Sequence, residues 1–324
     1  MARLGGSALQ LGLETAIALA LGLALGAIPA VHGAALPGAT LAARYALRIG
    51  ITLLGARLTV GQLLATGGSS VLAIVVVVAS ALLLGTMLAR RLGLMPPLSA
   101  LITVGMAICG NSAILALSPI IGARHRETAY AVSTITIFGL IGVLALPILG
   151  HLMAMNDAGF GTWAGLAVND TAQVVATGYA FSPGAGDVAT VVKLTRNLAI
   201  LPVLLGATWW AARHVRDEAA AGSAGASRLA MIGRAVPWFV VGFVIVATLR
   251  SLGLLDGTLP TGGTVADLFS TVATLSILIA LAGVGLATDL RAMLDVGARP
   301  FLLGAAMWIA IGSLGLAIAR VYHG

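Results

Sequence analysis

Cys109-Gly110-Asn111-Ser112 and Asn169-Asp170-Thr171 interrupt two long apolar stretches, and the reading of these interruptions decides the fold. Each is followed by a second apolar segment, and the later segment carries Lys193 and Arg196 at membrane depth. Hydrocarbon tolerates broken helices and ionised side chains only where protein shields them or they line a polar cavity. Two such interruptions beside buried charge form the pattern of a solute site near the bilayer midplane, and hence of a transporter.

The surrounding sequence agrees with a membrane setting. Of 324 residues, 59% are hydrophobic and 9% charged. That leaves far too little polar surface for a soluble domain of this length, so an all-α polytopic membrane protein is expected. The net charge of +7 does not point to nucleic acid, because most arginines sit between apolar runs, where they orient the chain in the bilayer. Cys109 is the only cysteine and the five histidines are scattered, so no disulfide, metal set or cofactor is expected. The first apolar run is longer than a signal-peptide core and holds Glu14, so a retained helix is expected rather than a cleaved leader.

A window of about 19 residues gives apolar segments near 8–31, 40–60, 70–89, 95–122, 128–150, 159–181, 188–212, 233–252, 265–288 and 300–320. Arginine placement tests the topology. If all segments cross, the arginines divide poorly between the two faces. If 95–122 and 159–181 instead enter and leave on one side, Arg44, Arg90, Arg91, Arg124, Arg126, Arg213, Arg216, Arg228, Arg234, Arg291 and Arg299 share one face. Arg3, Arg57, Arg250 and Arg320 then lie opposite, with Arg48 and Arg196 inside. The positive-inside rule favours this hairpin arrangement, with both chain ends outside.

Segments 95–150 and 159–210 also resemble each other: Asn111-Ser112-Ala113 aligns with Asp170-Thr171-Ala172, and Gly105 with Gly165. With hairpins the two units enter from opposite faces, as in the inverted repeats of secondary transporters. The expected organisation is scaffold helices over 1–94, a transport core over 95–210, a hydrophilic linker over 213–230 and further scaffold helices over 231–324. The scaffold would supply a homodimer contact.

Asn111, Ser112, Asp170 and Thr171 are residue types that cap helix N-termini. The second half of each hairpin would start near mid-membrane with its positive dipole end turned inward, and two such ends make an anion cradle. Lys193, the only lysine, lies with Arg196 and Asn197 on one helix face. An isolated charge at that depth costs about 2.5–3.5 kcal/mol, so both cations should face protein or water. The matching face of the earlier unit offers Ser133 and Thr136, so one unit supplies charge and the other hydroxyls, which suits an oxyanion. Thr195 and Gln173 are further candidate contacts, and Asp170 is the only carboxylate expected deep in the site. An Asp170 salt bridge to Lys193 or Arg196 that only locks the fold is the competing account.

Gly-x-Ala-Ile-Cys-Gly-Asn-Ser-Ala-Ile at 105–114, Asn-Asp-Thr-Ala-Gln-Val-Val at 169–175 and Ala-Thr-Val-Val-Lys-Leu-Thr-Arg-Asn at 189–197 resemble signatures of the YeiH-like sulfate exporter family, UPF0324-type membrane transporters. Leu-Leu-Gly-Ala-Arg-Leu-Thr at 53–59 and Phe-Gly-x-Trp-Ala-Gly-Leu-Ala at 160–167 fit it too. The resemblance implies a multi-pass inner-membrane transporter of a small anion, related to bile-acid-type and cation/proton antiporter folds. The chain departs from the family pattern at Asn169, where the resemblance implies His in many relatives, and is expected to lack one N-terminal span.

The expected function is secondary active export of sulfate or a small sulfonate, coupled to a proton or cation through Asp170. The alternatives are a cation/proton antiporter with Asp170 as the ion-binding carboxylate, and an anion channel. An enzyme is not expected, since no metal set, Ser–His pair or paired-Asp motif stands out.

Overall fold

The structure, a computed structural model, describes residues 17–18, 21–22, 24–214, 238–260, 263–287 and 298–323. Its α-helices are α1 (Pro29–Leu54), α2 (Val60–Arg91), α3 (Pro96–Ala107), α4 (Asn111–Leu117), α5 (His125–Leu152), α6 (Asp157–Ala167), α7 (Thr171–Phe181), α8 (Pro183–Asn197), α9 (Ile200–His214), α10 (Trp238–Ser251), α11 (Val265–Ala287) and α12 (Ala298–His323). A one-turn 3₁₀ helix, Gly55–Arg57, closes α1. Five stretches among the described residues are long and apolar enough to cross a membrane: Val60–Arg91, Arg126–Leu152, Pro183–Ala207, Val265–Ala287 and Ala298–His323. The chain is a multi-pass membrane protein.

Local chemistry sets the helix ends. Thr59 opens α2 with a capping box, its hydroxyl accepting from Gln62 N while Gln62 Oε1 accepts from Thr59 N. At the far end Gly93, at φ 63°, turns the chain so that Leu94 N reaches Ala89 O, and Pro96 starts α3. Asn156 caps α6 by accepting from Gly159 N at 2.7 Å, and Ser182 caps α8 by accepting from Ala185 N at 3.0 Å.

Both interruptions break the helix. After α3, Ile108 leaves helical geometry at φ −122°, ψ −88°, and Gly110 sits at φ 62°, where a side chain is strained. Helix α4 then turns back, placing Ile114 against Gly105 of α3. The second break, 168–170, makes a clearer hairpin. The Phe160 and Phe181 rings stack with centroids 4.0 Å apart, and Ser182 Oγ donates to Asp157 Oδ1 at 2.7 Å, so the open ends of α6 and α7 meet. Both halves lie on α8. Gly161 and Gly165 of α6 meet Val188 and Val192 in parallel order, while Gly178 and Thr171 of α7 meet Gly186 and Asn197 in antiparallel order.

The α3/α4 hairpin follows the end of α2 at Arg91, whereas α6/α7 follows the opposite end of α5 at Leu152. The hairpins therefore reach the middle of the molecule from different ends. Helix α5 backs the first as α8 backs the second, with Ile135 against Gly105.

The helices differ from the sequence reading in the first region. A single helix, α1, covers 29–54, so the break falls at Ala27–Ile28 rather than between 31 and 40. Pro29 at the first helical position explains the start, since proline lacks the N–H that this position leaves unpaired. Helices α2 and α12, which the sequence reading places with the scaffold, pack directly on the hairpins. Thr103 and Met307 close on Gly85, and Leu166 and Trp163 close on Gly315. Two short hairpins leave lateral apolar surface that needs such cover. Helices α1, α10 and α11 form the other packing group. The linker 213–230 lies outside the described residues from 215 onward, as do residues 1–16 of the first segment.

Candidate functional site

The last carbonyls of an α-helix have no partner within the helix, and in a membrane none can be left bare. In α3, Val104 O and Gly105 O are taken by the amides of Ile108 and Gly110 at 3.1 and 2.9 Å. The next carbonyls go to side chains of α8. Arg196 Nη2 donates to Met106 O at 2.8 Å and its Nε to Ala107 O at 3.1 Å, while Lys193 Nζ donates to Ile108 O at 2.8 Å.

The same two side chains close α6. Arg196 Nη1 reaches Leu166 O at 2.7 Å, Val168 O at 3.2 Å and Gly165 O at 3.3 Å. Lys193 Nζ reaches Val168 O at 3.3 Å and Asn169 O. Both cations are 0% exposed. They sit where two negative helix ends converge, which is where a buried cation is best tolerated.

An ammonium has three N–H donors and a guanidinium five. Here every donor nitrogen of the two side chains faces a backbone carbonyl, with Asn169 Oδ1 a further acceptor for Arg196 at 3.4 Å. The sequence reading placed Lys193 and Arg196 in contact with the solute. In this structure their donors are spent on backbone, because the broken helices supply acceptors that a linear sequence does not display. Nor is either cation paired with Asp170: the ion pairs among the described residues are Arg57–Asp187 and Arg250–Asp256.

The positive ends of α4 and α7 lie on the other side of the two breaks, and the tips touch there. A Cβ on Gly110 would stand 3.4 Å from the backbone of Asp170, so glycine permits the close approach. Asp170 caps α7, its Oδ1 accepting from Ala172 N at 2.9 Å. Asn111 and Thr171, the first residues of α4 and α7, are half-buried, and Ser112 is exposed. Asn197 Nδ2 donates to Thr171 Oγ1 at 3.4 Å, and Gln173 Nε2 donates to Thr136 O at 3.2 Å.

Asn111, Asp170, Thr171, Gln173, Asn197 and Thr136 are thus drawn into one polar neighbourhood. Within it Asn111 Oδ1, Gln173 Oε1 and Asn197 Oδ1 are buried without a hydrogen-bond partner among the described residues. Ser133 is half-buried on α5, one turn before Thr136. Thr195 is not part of the group: its hydroxyl donates to Val191 O at 2.9 Å and lies against Gly67 of α2.

Sequence reasoning missed Asn169 as a member of the site. It is 0% exposed and binds both cations, and its Nδ2 donates to Met106 Sδ of the other hairpin at 2.8 Å. The signal was its place directly before the Asp170 cap. Among the described residues no three His, Cys, Asp or Glu side chains gather as metal ligands.

Over residues 5–304 the chain matches a family described as Conserved hypothetical protein 698. It is 34% identical over 292 residues to a UPF0324 membrane protein of Clostridium tetani, covering 89% of this chain and 83% of that one. A UPF0324 membrane protein of Streptococcus pyogenes is 35% identical over 288 residues, covering 87% and 81% respectively. One from Bordetella bronchiseptica is 33% identical over 296 residues, covering 90% and 87%. No solved structure matches the chain.

Proposed function

The chain belongs to the UPF0324 family of membrane proteins, and on that premise we propose that it is a secondary active transporter of a small oxyanion, sulfate or a sulfonate. One observation carries the reading: two broken helices meet tip to tip, with both negative ends neutralised by resident cations and both positive ends left beside half-buried polar side chains. Breaking helices in hydrocarbon is costly, and it is retained where the break itself does the binding.

The two hairpin units form an inverted repeat in this reading. The cations act on the solute through their field and through the hairpin tips they hold, while Asn111, Ser112, Asp170 and Thr171 make the contacts. With two buried cations against one carboxylate, the neighbourhood favours an anion. The unit α2–α9 with α12 shifts against α1, α10 and α11 to expose the site alternately, and Asp170 couples the movement to a proton or cation in the direction of export.

A second reading has its own support. Because Lys193 and Arg196 have their donors engaged while Asp170 has no ion-pair partner among the described residues, Asp170 is available to a cation, as a cation/proton antiporter requires. Counterflow in proteoliposomes separates the readings. Saturable exchange of labelled sulfate or sulfonate, competed by other oxyanions, supports the first. Sodium-driven proton movement with no oxyanion exchange refutes it, and flux that never saturates indicates a channel.

A further inference from the structure

The packing seam between the hairpin-bearing group and the group of α1, α10 and α11 is mostly apolar, with Ile51 and Ile277 on one side and Val175 and Val191 on the other. A polar cluster crosses it, in addition to the bond from Val60 N of α2 to Ser251 Oγ of α10 at 2.7 Å. Arg57, on the short helix closing α1, donates from Nε to Ser270 Oγ and from Nη2 to Thr274 Oγ1, both at 2.7 Å, and from Nη2 to Ser270 O at 3.4 Å. All three bonds stay on α11. Toward the other group its contacts are longer: Nη1 reaches Tyr179 Oη at 3.3 Å and lies 3.8 Å from Asp187 Oδ1. Its guanidinium also stands over the Tyr179 ring, 5.6 Å from the centroid.

On the hairpin side the partners hold each other. Tyr179 Oη donates to Asp187 Oδ1. The Tyr179 ring packs flat on Gly186, where a Cβ would fall 2.5 Å from the ring. Tyr179 and Asp187 therefore move as one piece with α7 and α8.

We propose that Arg57, Tyr179 and Asp187 form a latch that holds the hairpin-bearing group against α1 and α11 in the state seen here and opens when the two groups shift. The proposal rests on the transporter reading for its purpose, though not for its geometry. Three features distinguish a latch from a permanent weld. When the contacts part, Arg57 keeps three hydrogen bonds to α11 and Asp187 keeps the Tyr179 hydroxyl, so neither side is stranded. The bonds that break are the longer ones. The ion-pair side chains are 17% and 22% exposed, so water can take over the released charges, in contrast to the sealed Lys193 and Arg196. Asp187 thereby becomes a second functional carboxylate, separate from Asp170 at the hairpin tips.

The test is hydrogen exchange on the full chain in nanodiscs, read by peptide mass, for Asp187→Asn and Tyr179→Phe. The phenylalanine keeps the ring on Gly186 and removes only the hydroxyl. The expected result is exchange faster by about fivefold, confined to 50–58, 176–190 and 268–275, with 99–117 unchanged. Unchanged exchange in both variants overturns the proposal, since the cluster then holds nothing shut. Faster exchange throughout, including 99–117, overturns it as well, since the cluster is then structural. Sulfate counterflow on the same preparations is read separately: its absence in the unmodified protein refutes the transporter reading, while the exchange pattern still decides the latch.

Discussion

Replacing Arg196 by leucine removes the side chain that closes two helix ends at once. It keeps most of the buried volume and loses bonds to five carbonyls: Met106, Ala107, Gly165, Leu166 and Val168. Interhelical hydrogen bonds measured within membranes average about 0.6 kcal/mol, which over these five gives about 3 kcal/mol as a lower figure. Carbonyls left dry and unpaired cost about 1–3 kcal/mol each, so the loss rises further if water cannot enter. At ~1.5 °C per kcal/mol, from about 2.1 cal/mol/K per residue over a chain of this length, the midpoint of thermal unfolding in detergent should fall by at least ~4 °C. Lys193→Met, which takes the donor from Ile108 O and Asn169 O while Val168 O keeps Arg196, should cost less. The assay is tryptophan fluorescence against temperature, paired with equilibrium sulfate binding on the folded fraction. A midpoint within about 1 °C of the parent, combined with abolished sulfate binding, would show that Arg196 serves the solute directly and that the helix-end account is mistaken.

Gly110→Ala should destabilise by about 1–2 kcal/mol, because φ 62° strains a residue with a Cβ and the added carbon meets the Asp170 backbone; a midpoint shift in the same fluorescence assay checks this. Asp170→Asn keeps an oxygen to accept from Ala172 N, so stability should stay within about 1 kcal/mol while the dependence of flux on pH or cation is lost. Unchanged dependence in proteoliposomes removes Asp170 from coupling. Thr59→Ala should cost about 1 kcal/mol by removing the α2 cap, read as a lower midpoint in the same fluorescence assay.

The hairpins were legible because their chemistry is local. Gly110 and Asn111, then Asn169 and Asp170, combine a helix breaker or cap with an apolar setting that tolerates neither without reason. The solitary lysine with Arg196 three residues on likewise announced buried charge. Less legible was the partner of that charge. Sequence inspection sees side chains, and the acceptors here are carbonyls, which every residue carries. The grouping of α2 and α12 with the hairpins was equally hidden, because apolar helices of this composition look alike until Gly85 meets Thr103 and Gly315 meets Leu166.

Residue type and spacing alone settled that this chain lives in a bilayer, that two of its helices break, and that α8 brings two cations to their depth. Those properties follow from hydration energies and backbone rules that act within a few residues. Only the tertiary arrangement decided that the cations close both broken helices together, and that Arg57 meets Tyr179 and Asp187 across a seam. Such meetings join residues about ninety and more than a hundred and twenty positions apart, and their register is set by packing that no single segment encodes.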